Sequence, residues 1–192
     1  NSTLFQGRSF EVSFLRGLAS LKFGRSDDLK TIANPASEAK FQLEDPETAR
    51  IHYEQALDFF ENQGDDKQIA NLMGRLGDLS RGQGDFSRAM KAFARAREIC
   101  QGHSDQLGTA HFSERMALVY NHQENFERAI ECFQEALTYY EQYRVADRLA
   151  FVLSGLGELQ NKMGQPEEAL KYLRRALHIY NKLGARGPAE LV

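Results

Sequence analysis

A small–large–small pattern of side chains recurs every 40 residues along this 192-residue chain. In the stretch GDFSRAMKAFARA, residues 84–96, the pattern is Ala89, Phe93 and Ala96, at positions i, i+4 and i+7. It occurs three more times in register, as Ala49, Tyr53 and Ala56, as Ala129, Phe133 and Ala136, and as Ala169, Leu173 and Ala176. This spacing places side chains on one face of an α-helix, whereas a strand would alternate every second residue. The chain is therefore predicted to be an array of helical units.

Signals for helix starts occur in the same register. Four residues spaced 40 apart precede the repeated pattern: Asp45, Asp85, Asn125 and Gln165. The first three are good N-cap residues, because their side-chain oxygens can accept hydrogen bonds from free backbone N–H groups of the first turn. Pro46 and Pro166 then stand at the first helical position, where the fixed φ of proline suits a helix. One helix of each unit is therefore expected at roughly 46–62, 86–100, 126–142 and 166–182.

The other helix of each unit carries a different row, with one small residue in it. The rows are Met73, Leu76, Gly77 and Leu79; Ser113, Met116, Ala117 and Val119; and Leu153, Leu156, Gly157 and Leu159. The small residue is predicted to let the two helices of a hairpin approach closely, while large residues fill the space between them. The short turns between the helices are predicted at Gly84, Glu124 and Gly164. Because one hairpin cannot bury its apolar face, neighbouring hairpins are expected to stack.

These rows resemble those of the tetratricopeptide repeat family. The strings that carry the resemblance are MGRLGDLSRGQGDFSRAMKAFARA (73–96), SERMALVYNHQENFERAIECFQEA (113–136) and LSGLGELQNKMGQPEEALKYLRRA (153–176). The pattern departs from the family in having no Trp, in having Ser80 and Gln160 where Tyr is usual, and in a unit six residues longer than the common 34. The resemblance implies an all-α fold, a right-handed α-solenoid of stacked antiparallel helix hairpins, and a function in protein binding.

The array is expected to form a single domain over residues 1–192. Its units are predicted at 8–63, 66–102, 106–142 and 146–183, with a tail at 184–192. The first unit has two interpretations. Leu15, Leu18, Ala19 and Leu21 match the first-helix row, which requires an insertion at about 25–44. The alternative makes 27–43 the helix and places Pro35 inside it, at a cost of about 3 kcal/mol, so the insertion is favoured.

Composition and charge exclude several classes of function. With 42% hydrophobic and 27% charged residues, the chain has the composition of an ordered globular protein. Its formal net charge of −3 provides no basic excess, so no nucleic acid partner is expected. No apolar run approaches the roughly 20 residues that cross a bilayer, so no membrane partner is expected either. Cys100 and Cys132 lie in helical segments and are expected to be reduced packing residues, which favours a cytoplasmic location.

The sequence contains no pattern typical of catalysis or metal binding. The five histidines form no His-x-x-x-His pair, and none stands beside a cysteine in ligand spacing. A nucleophile elbow, a phosphate loop and a dinucleotide fingerprint are all absent from the sequence. The chain is therefore expected not to be an enzyme and to use neither a metal nor a cofactor.

The resemblance implies a peptide-binding groove lined by the first helix of each unit. Its predicted residues are Asn71, Arg75, Asp78 and Arg81 in the second unit, His111, Glu114, Arg115, Leu118 and His122 in the third, and Phe151, Ser154, Glu158, Asn161 and Lys162 in the fourth. The first unit would add Arg16 and Phe23 if its first helix is the segment containing Leu15 and Leu18.

Two arginines, Arg75 and Arg115, lie one repeat apart on this predicted face. The guanidinium group matches the two oxygens of a carboxylate, so an acidic and apolar segment of a partner protein is the expected ligand. The alternative is that the arginines pair with Asp78, Glu114 and Glu158 and only keep the groove soluble.

Three functions are consistent with these patterns. The first is a protein–protein interaction scaffold that binds a peptide segment of a partner in the concave groove. The second is a self-assembling scaffold, a possible homo-oligomer, in which the uncapped end at 170–192 or the N-terminal apolar helix docks onto another copy. The third is a regulatory sensor of a small signalling peptide, which is implied by one branch of the family.

Overall fold

The computed structural model describes residues 46–184, which form seven α-helices. The helices are α1 (Pro46–Gln63), α2 (Asp66–Gly82), α3 (Phe86–Gly102), α4 (Gln106–His122), α5 (Phe126–Tyr143), α6 (Ala146–Lys162) and α7 (Pro166–Lys182). No strand occurs among these described residues. The predicted helices of the small–large–small pattern are confirmed as α1, α3, α5 and α7.

Several predictions fall on residues that the structure does not describe. They concern the cap at Asp45, the first helix of the first unit with Arg16 and Phe23, and the insertion at 25–44. The tail after Gly184 also lies outside the described residues.

Each helix packs against the next one along the chain. The contacts are most extensive within the pairs α2–α3, α4–α5 and α6–α7, which are the predicted hairpins. Contacts of α3 with α4 and of α5 with α6 join each hairpin to the following one. The described residues therefore form an all-α solenoid of stacked hairpins, as the sequence predicts.

Every turn contains a residue with a left-handed backbone, and these residues are spaced 20 apart. The glycines are Gly64, Gly84, Gly164 and Gly184, with φ between 66° and 78°. The others are Ser104, Glu124 and Arg144, with φ between 55° and 58°. The predicted turn positions Gly84, Glu124 and Gly164 are confirmed. Because a side chain costs about 1 kcal/mol in this conformation, the three turns in the middle of the array carry backbone strain.

Side-chain oxygens cap most of the helices. Asp85 and Asn125 accept hydrogen bonds from backbone N–H groups three residues further on, at 2.9 and 3.3 Å, as predicted. Asp65 and Asp105 cap α2 and α4 in the same way, at 3.1 and 2.9 Å. Sequence analysis missed these two caps, although both are aspartates just before an apolar row. At the corresponding position Val145 precedes α6, which has no side-chain cap.

Within a hairpin, the small residue of the first helix packs against the large residue of the second helix. Phe93 is fully buried, and a Cβ added to Gly77 would lie 2.5 Å from its Cε1 atom. In the last hairpin, a Cβ on Gly157 would lie 2.6 Å from Cγ of Leu173. Each glycine therefore makes room for the large side chain of the opposite helix, which explains why the two residue types recur together.

Candidate functional site

The helices α2, α4 and α6 form one continuous surface, which we call the inner face. Nη1 of Arg115 in α4 lies 3.2 Å from Oδ1 of Asp78 in α2. Nζ of Lys162 in α6 lies 3.1 Å from Oδ1 of Asn121 in α4. These polar contacts link helices that are one repeat apart, so residues of the three hairpins share one surface.

Arg75 and Arg115 lie on the same side of the array. Arg115 reaches Asp78, which stands one helical turn after Arg75 on α2, and residues three apart share a helix face. The Arg115 side chain is 17% exposed and forms a salt bridge with Asp78. Arg81 lies 3.5 Å from the same carboxylate. The alternative in which the basic side chains pair within the face therefore holds for Arg115 and Arg81.

Arg75 differs from these two residues. It is exposed and forms no salt bridge with any residue that the structure describes. Its guanidinium lies close to the hydroxyl of Tyr53, whose pKa is raised by burial, with Arg75 acting in the opposite direction. Arg75 is thus a cation of the inner face with no carboxylate among the described residues.

The structure places Glu114 below the inner face rather than on it. Glu114 is 1% exposed, so its carboxylate does not line a groove as the sequence suggested. Its Oε2 accepts a hydrogen bond from the hydroxyl of Tyr140 at 3.0 Å, and its Oε1 lies 3.3 Å from Nη1 of Arg148. Burial raises the pKa of Glu114, and the positive charge of Arg148 opposes this shift.

Tyr140 and Arg148 were missed by the sequence analysis. A signal was present, however, because the positions that correspond to Glu114 in the neighbouring units hold the small residues Gly74 and Ser154. A charged residue at a position that is otherwise small needs a partner inside the protein. That requirement could have prompted a search for the hydroxyl and the guanidinium.

His111 lies between two guanidinium groups. Burial, together with the positive charges of Arg115 and Arg148, lowers its pKa to about 4. Its ring packs edge to face on Phe112, with the ring centroids 5.3 Å apart. His111 is therefore neutral at pH 7, and the positive charge at this place comes from the two arginines.

Three further predicted residues are open to solvent. Asn71, Phe151 and Asn161 are exposed, and Phe151 has 39% of its surface accessible. Asn71, His111 and Phe151 occupy the same position in consecutive units, so they form a row across α2, α4 and α6.

The remaining predicted residues are engaged in contacts of their own. Ser154 donates its hydroxyl to the carbonyl of Ala150 at 3.0 Å, and Leu118 is half-buried. His122 stacks on the ring of Phe86, with the ring centroids 5.5 Å apart. In the next unit, Lys162 forms a salt bridge of 2.8 Å with Glu158 and lies over the ring of Phe126.

Metal-binding clusters and the two thiols were the candidate reactive groups among the described residues. No group of three His, Cys, Asp or Glu side chains within 46–184 could hold a metal ion. Cys100 is buried and Cys132 is half-buried, and burial raises the pKa of each thiol to about 11. Both are therefore protonated near neutral pH. In the same part of the chain, no helix combines the length and apolar character needed to span a membrane.

Comparison with protein-family models gives a match to the tetratricopeptide repeat over residues 30–102 and 108–182. The chain belongs to the tetratricopeptide repeat family. The tetratricopeptide fold is generally non-catalytic, and membership of this family supports a protein-interaction scaffold. The resemblance found in the sequence is therefore confirmed. A comparison with curated protein sequences gives no match.

Several solved structures have the same fold. BtubC (BKLC) from P. vanneervenii aligns at 19% identity with a TM-score of 0.67, over 77% of this chain and 61% of that chain. The apo form of RapI aligns at 16% identity with a TM-score of 0.70, over 92% and 72%. Aspartyl phosphate phosphatase F from Bacillus subtilis aligns at 15% identity with a TM-score of 0.69, over 72% and 37%. The chain thus spans less than two thirds of BtubC and of the phosphatase, and at these identities the likeness concerns the fold alone.

Proposed function

We propose that this chain has a binding rather than a catalytic function, and that it holds an extended segment of a partner protein on the inner face. In this proposal Arg75 pairs with an acidic side chain of the partner, and Phe151 contacts an apolar one. The observation that carries the proposal is the exposure of Arg75, a cation without a carboxylate among the described residues, on a surface shared by three hairpins.

The surroundings of Arg75 and Phe151 favour an acidic ligand. The carboxylate of Glu114 would repel such a ligand if it were exposed, but it is buried against Arg148. Neutral His111 lies in the row between the two anchors and can donate or accept a hydrogen bond. Because the face is preformed, binding orders only the ligand, which allows many modest contacts to add up.

A peptide-display selection tests the proposal. We expect a random library selected on the chain to yield peptides that combine Asp or Glu with apolar residues. Arg75→Glu together with Phe151→Ala should weaken their binding by about tenfold or more. Arg95→Glu on α3, an exposed residue whose partner Glu61 lies on α1, is the matched charge reversal away from this face. Equal affinity of every selected peptide for both variants and the wild type would refute the proposal.

A second candidate is self-assembly through α7. Leu170 and Leu177 are 51% and 50% exposed on this helix. Their counterparts in α5, Ile130 and Leu137, are partly buried in the core cluster that includes residues of α6. Sedimentation velocity at increasing protein concentration tests this candidate, because it measures the mass of the species in solution. We expect Leu170→Glu with Leu177→Glu to abolish any concentration-dependent increase in mass, and a wild-type monomer at all concentrations would exclude the candidate.

A further inference from the structure

A crevice of about 300 Å³ lies between α5 and α7 at the start of α6. We call it the α5–α7 crevice. Its apolar lining includes Leu149, Ile179 and Leu183, and Arg144 and Lys182 stand at its edge. None of these residues is among those predicted for the peptide-binding groove. The volume is sufficient for a few side chains of a ligand.

A polar bridge spans the corresponding place in each of the two preceding units. The hydroxyl of Tyr143 at the end of α5 donates to Oε1 of Gln106 at the start of α4, over 2.5 Å. One unit earlier, Nε2 of His103 lies 2.7 Å from Oδ2 of Asp66. In the last unit these two positions hold Leu183 and Ala146, whose side chains have no polar atom, so no such bridge closes the crevice.

The charge of the α5–α7 crevice also differs from that of its counterparts. Arg144 stands where the other units have Gly64 and Ser104, and Lys182 where they have Gly102 and Gln142. The crevice contains one further cation, Arg175, which pairs with Glu141 at 2.5 Å. Arg144 and Lys182 form no salt bridge with any residue in 46–184. Within 46–184, the crevice therefore has two positive charges without a salt bridge beside an apolar lining.

The backbone of Arg144 is strained. Its φ is +55°, in the left-handed region, and the equivalent turns before α2 and after α7 hold Gly64 and Gly184. A glycine would adopt this conformation without strain, whereas arginine does so at a cost of stability. Strain of this kind is frequent where a side chain contacts a ligand.

We propose that the α5–α7 crevice is a second docking site, which takes an acidic segment of a partner protein with an aliphatic side chain next to a carboxylate. The aliphatic side chain enters between Leu149, Ile179 and Leu183. The carboxylate pairs with Arg144 and Lys182, which complement its charge. The proposal does not rest on the function of the inner face, because the two sites share no residue.

Peptide display on the full 192-residue chain, followed by fluorescence anisotropy of each selected peptide, tests this site. We expect one class of peptides with Asp or Glu adjacent to Leu, Ile or Val. Arg144→Gly should weaken their binding about three- to fivefold, as expected for loss of a partly exposed ion pair. The same change should raise the melting temperature, because glycine relieves the left-handed backbone. Weaker binding by a more stable protein cannot result from misfolding.

A second variant closes the crevice without changing its charge. Ala146→Gln combined with Leu183→Tyr rebuilds the pair found at Gln106 and Tyr143, and we expect it to abolish binding of the same peptides. Arg75→Glu with Phe151→Ala is the matched control and should leave their affinity unchanged.

Three outcomes would overturn the proposal. The first is a selection without acidic–aliphatic peptides, and the second is equal affinity of those peptides for the wild type and the closed-crevice variant. In this second case, a response of the peptides only to Arg75→Glu with Phe151→Ala would show that they bind the inner face, so the second site is wrong while the proposed function stands. The third is self-association of the wild type that Ala146→Gln with Leu183→Tyr abolishes, because the occupant would then be a second copy of this chain.

Discussion

Nη1 of Arg148 donates a hydrogen bond to Oε1 of Glu114 over 3.3 Å, and this carboxylate is 1% exposed. The donor lies in α6 and the acceptor in α4, while Tyr140 of α5 donates to the other oxygen at 3.0 Å. The cluster therefore joins two consecutive hairpins through a buried charge. In a solenoid such contacts matter, because each hairpin is stabilised only by its neighbours.

The first prediction concerns this buried pair. Arg148→Met leaves the buried carboxylate of Glu114 without its salt-bridge partner, so we expect the free energy of unfolding to fall by about 2–3 kcal/mol. Arg95→Met removes an exposed pair with Glu61 and should cost less than about 0.5 kcal/mol. Urea denaturation of the two variants measures the difference. If both variants lost the same unfolding free energy, the burial of Glu114 would not determine the cost of removing its partner.

The second prediction concerns pH. The pKa of His111 is lowered to about 4 in the folded chain from an ordinary value of 6.5. Between these values the unfolded chain binds a proton that the folded chain does not, so stability is lost as the pH falls from 6.5 towards 4. We expect His111 to account for a loss of about 2–3 kcal/mol at pH 4.

His111→Gln isolates this effect. Glu114 acts in the opposite direction, since its pKa is raised, but it is present in both proteins. We therefore expect the difference in unfolding free energy between the wild type and His111→Gln to change across this pH range. Denaturation series at several pH values measure it, and parallel curves would contradict the prediction.

The third prediction compares two glycines of α2. A Cβ at Gly77 would meet the ring of fully buried Phe93, whereas a Cβ at Gly82 would meet no atom within 4 Å. Gly77→Ala should therefore destabilise the chain by about 1–3 kcal/mol through overpacking. Gly82→Ala should instead raise stability by up to about 1 kcal/mol, because alanine is the better helix former. Thermal denaturation distinguishes them, and a loss of stability in both would be evidence against the packing role of Gly77.

The fourth prediction concerns the turns within hairpins. Glu124 adopts a φ of +58°, where the equivalent residues Gly84 and Gly164 have +78° and +73°. We expect Glu124→Gly to raise the unfolding free energy by about 0.5–1 kcal/mol, because the strain outweighs the added freedom of the unfolded chain. Gly84→Ala is the inverse change and should lower it by a similar amount. Both are measured by chemical denaturation, and the same sign for both changes would disprove the assignment of strain.

The sequence was sufficient to place most of the helices. The pairing of Gly77 with Phe93 repeats as a pattern within 17 residues, and caps such as Asp85 stand directly before the helix that they cap. Both signals lie within one hairpin. Both signals could be recognised in the sequence without knowing how hairpins stack, because the residues that contact each other are close in the chain.

The candidate site was predicted less completely. Asp78 was expected on the inner face and does bond Arg115, but the burial of Glu114 was missed. The α5–α7 crevice was not foreseen either, since it depends on whether Leu183 and Ala146 can form the bridge that Tyr143 and Gln106 form. Such pairs are 37 residues apart in the chain.

For this protein, the 40-residue rhythm of small and large side chains determined the repeat, the helix boundaries and the turns, because those depend on helical period and local backbone geometry. The tertiary structure decided which charges are paired, buried or free. Among the residues that the structure describes, Arg75 has no carboxylate partner, and Glu114 is enclosed because stacked hairpins bring particular side chains of different units together. That alignment is set by the packing between hairpins, which the pattern within one unit does not specify.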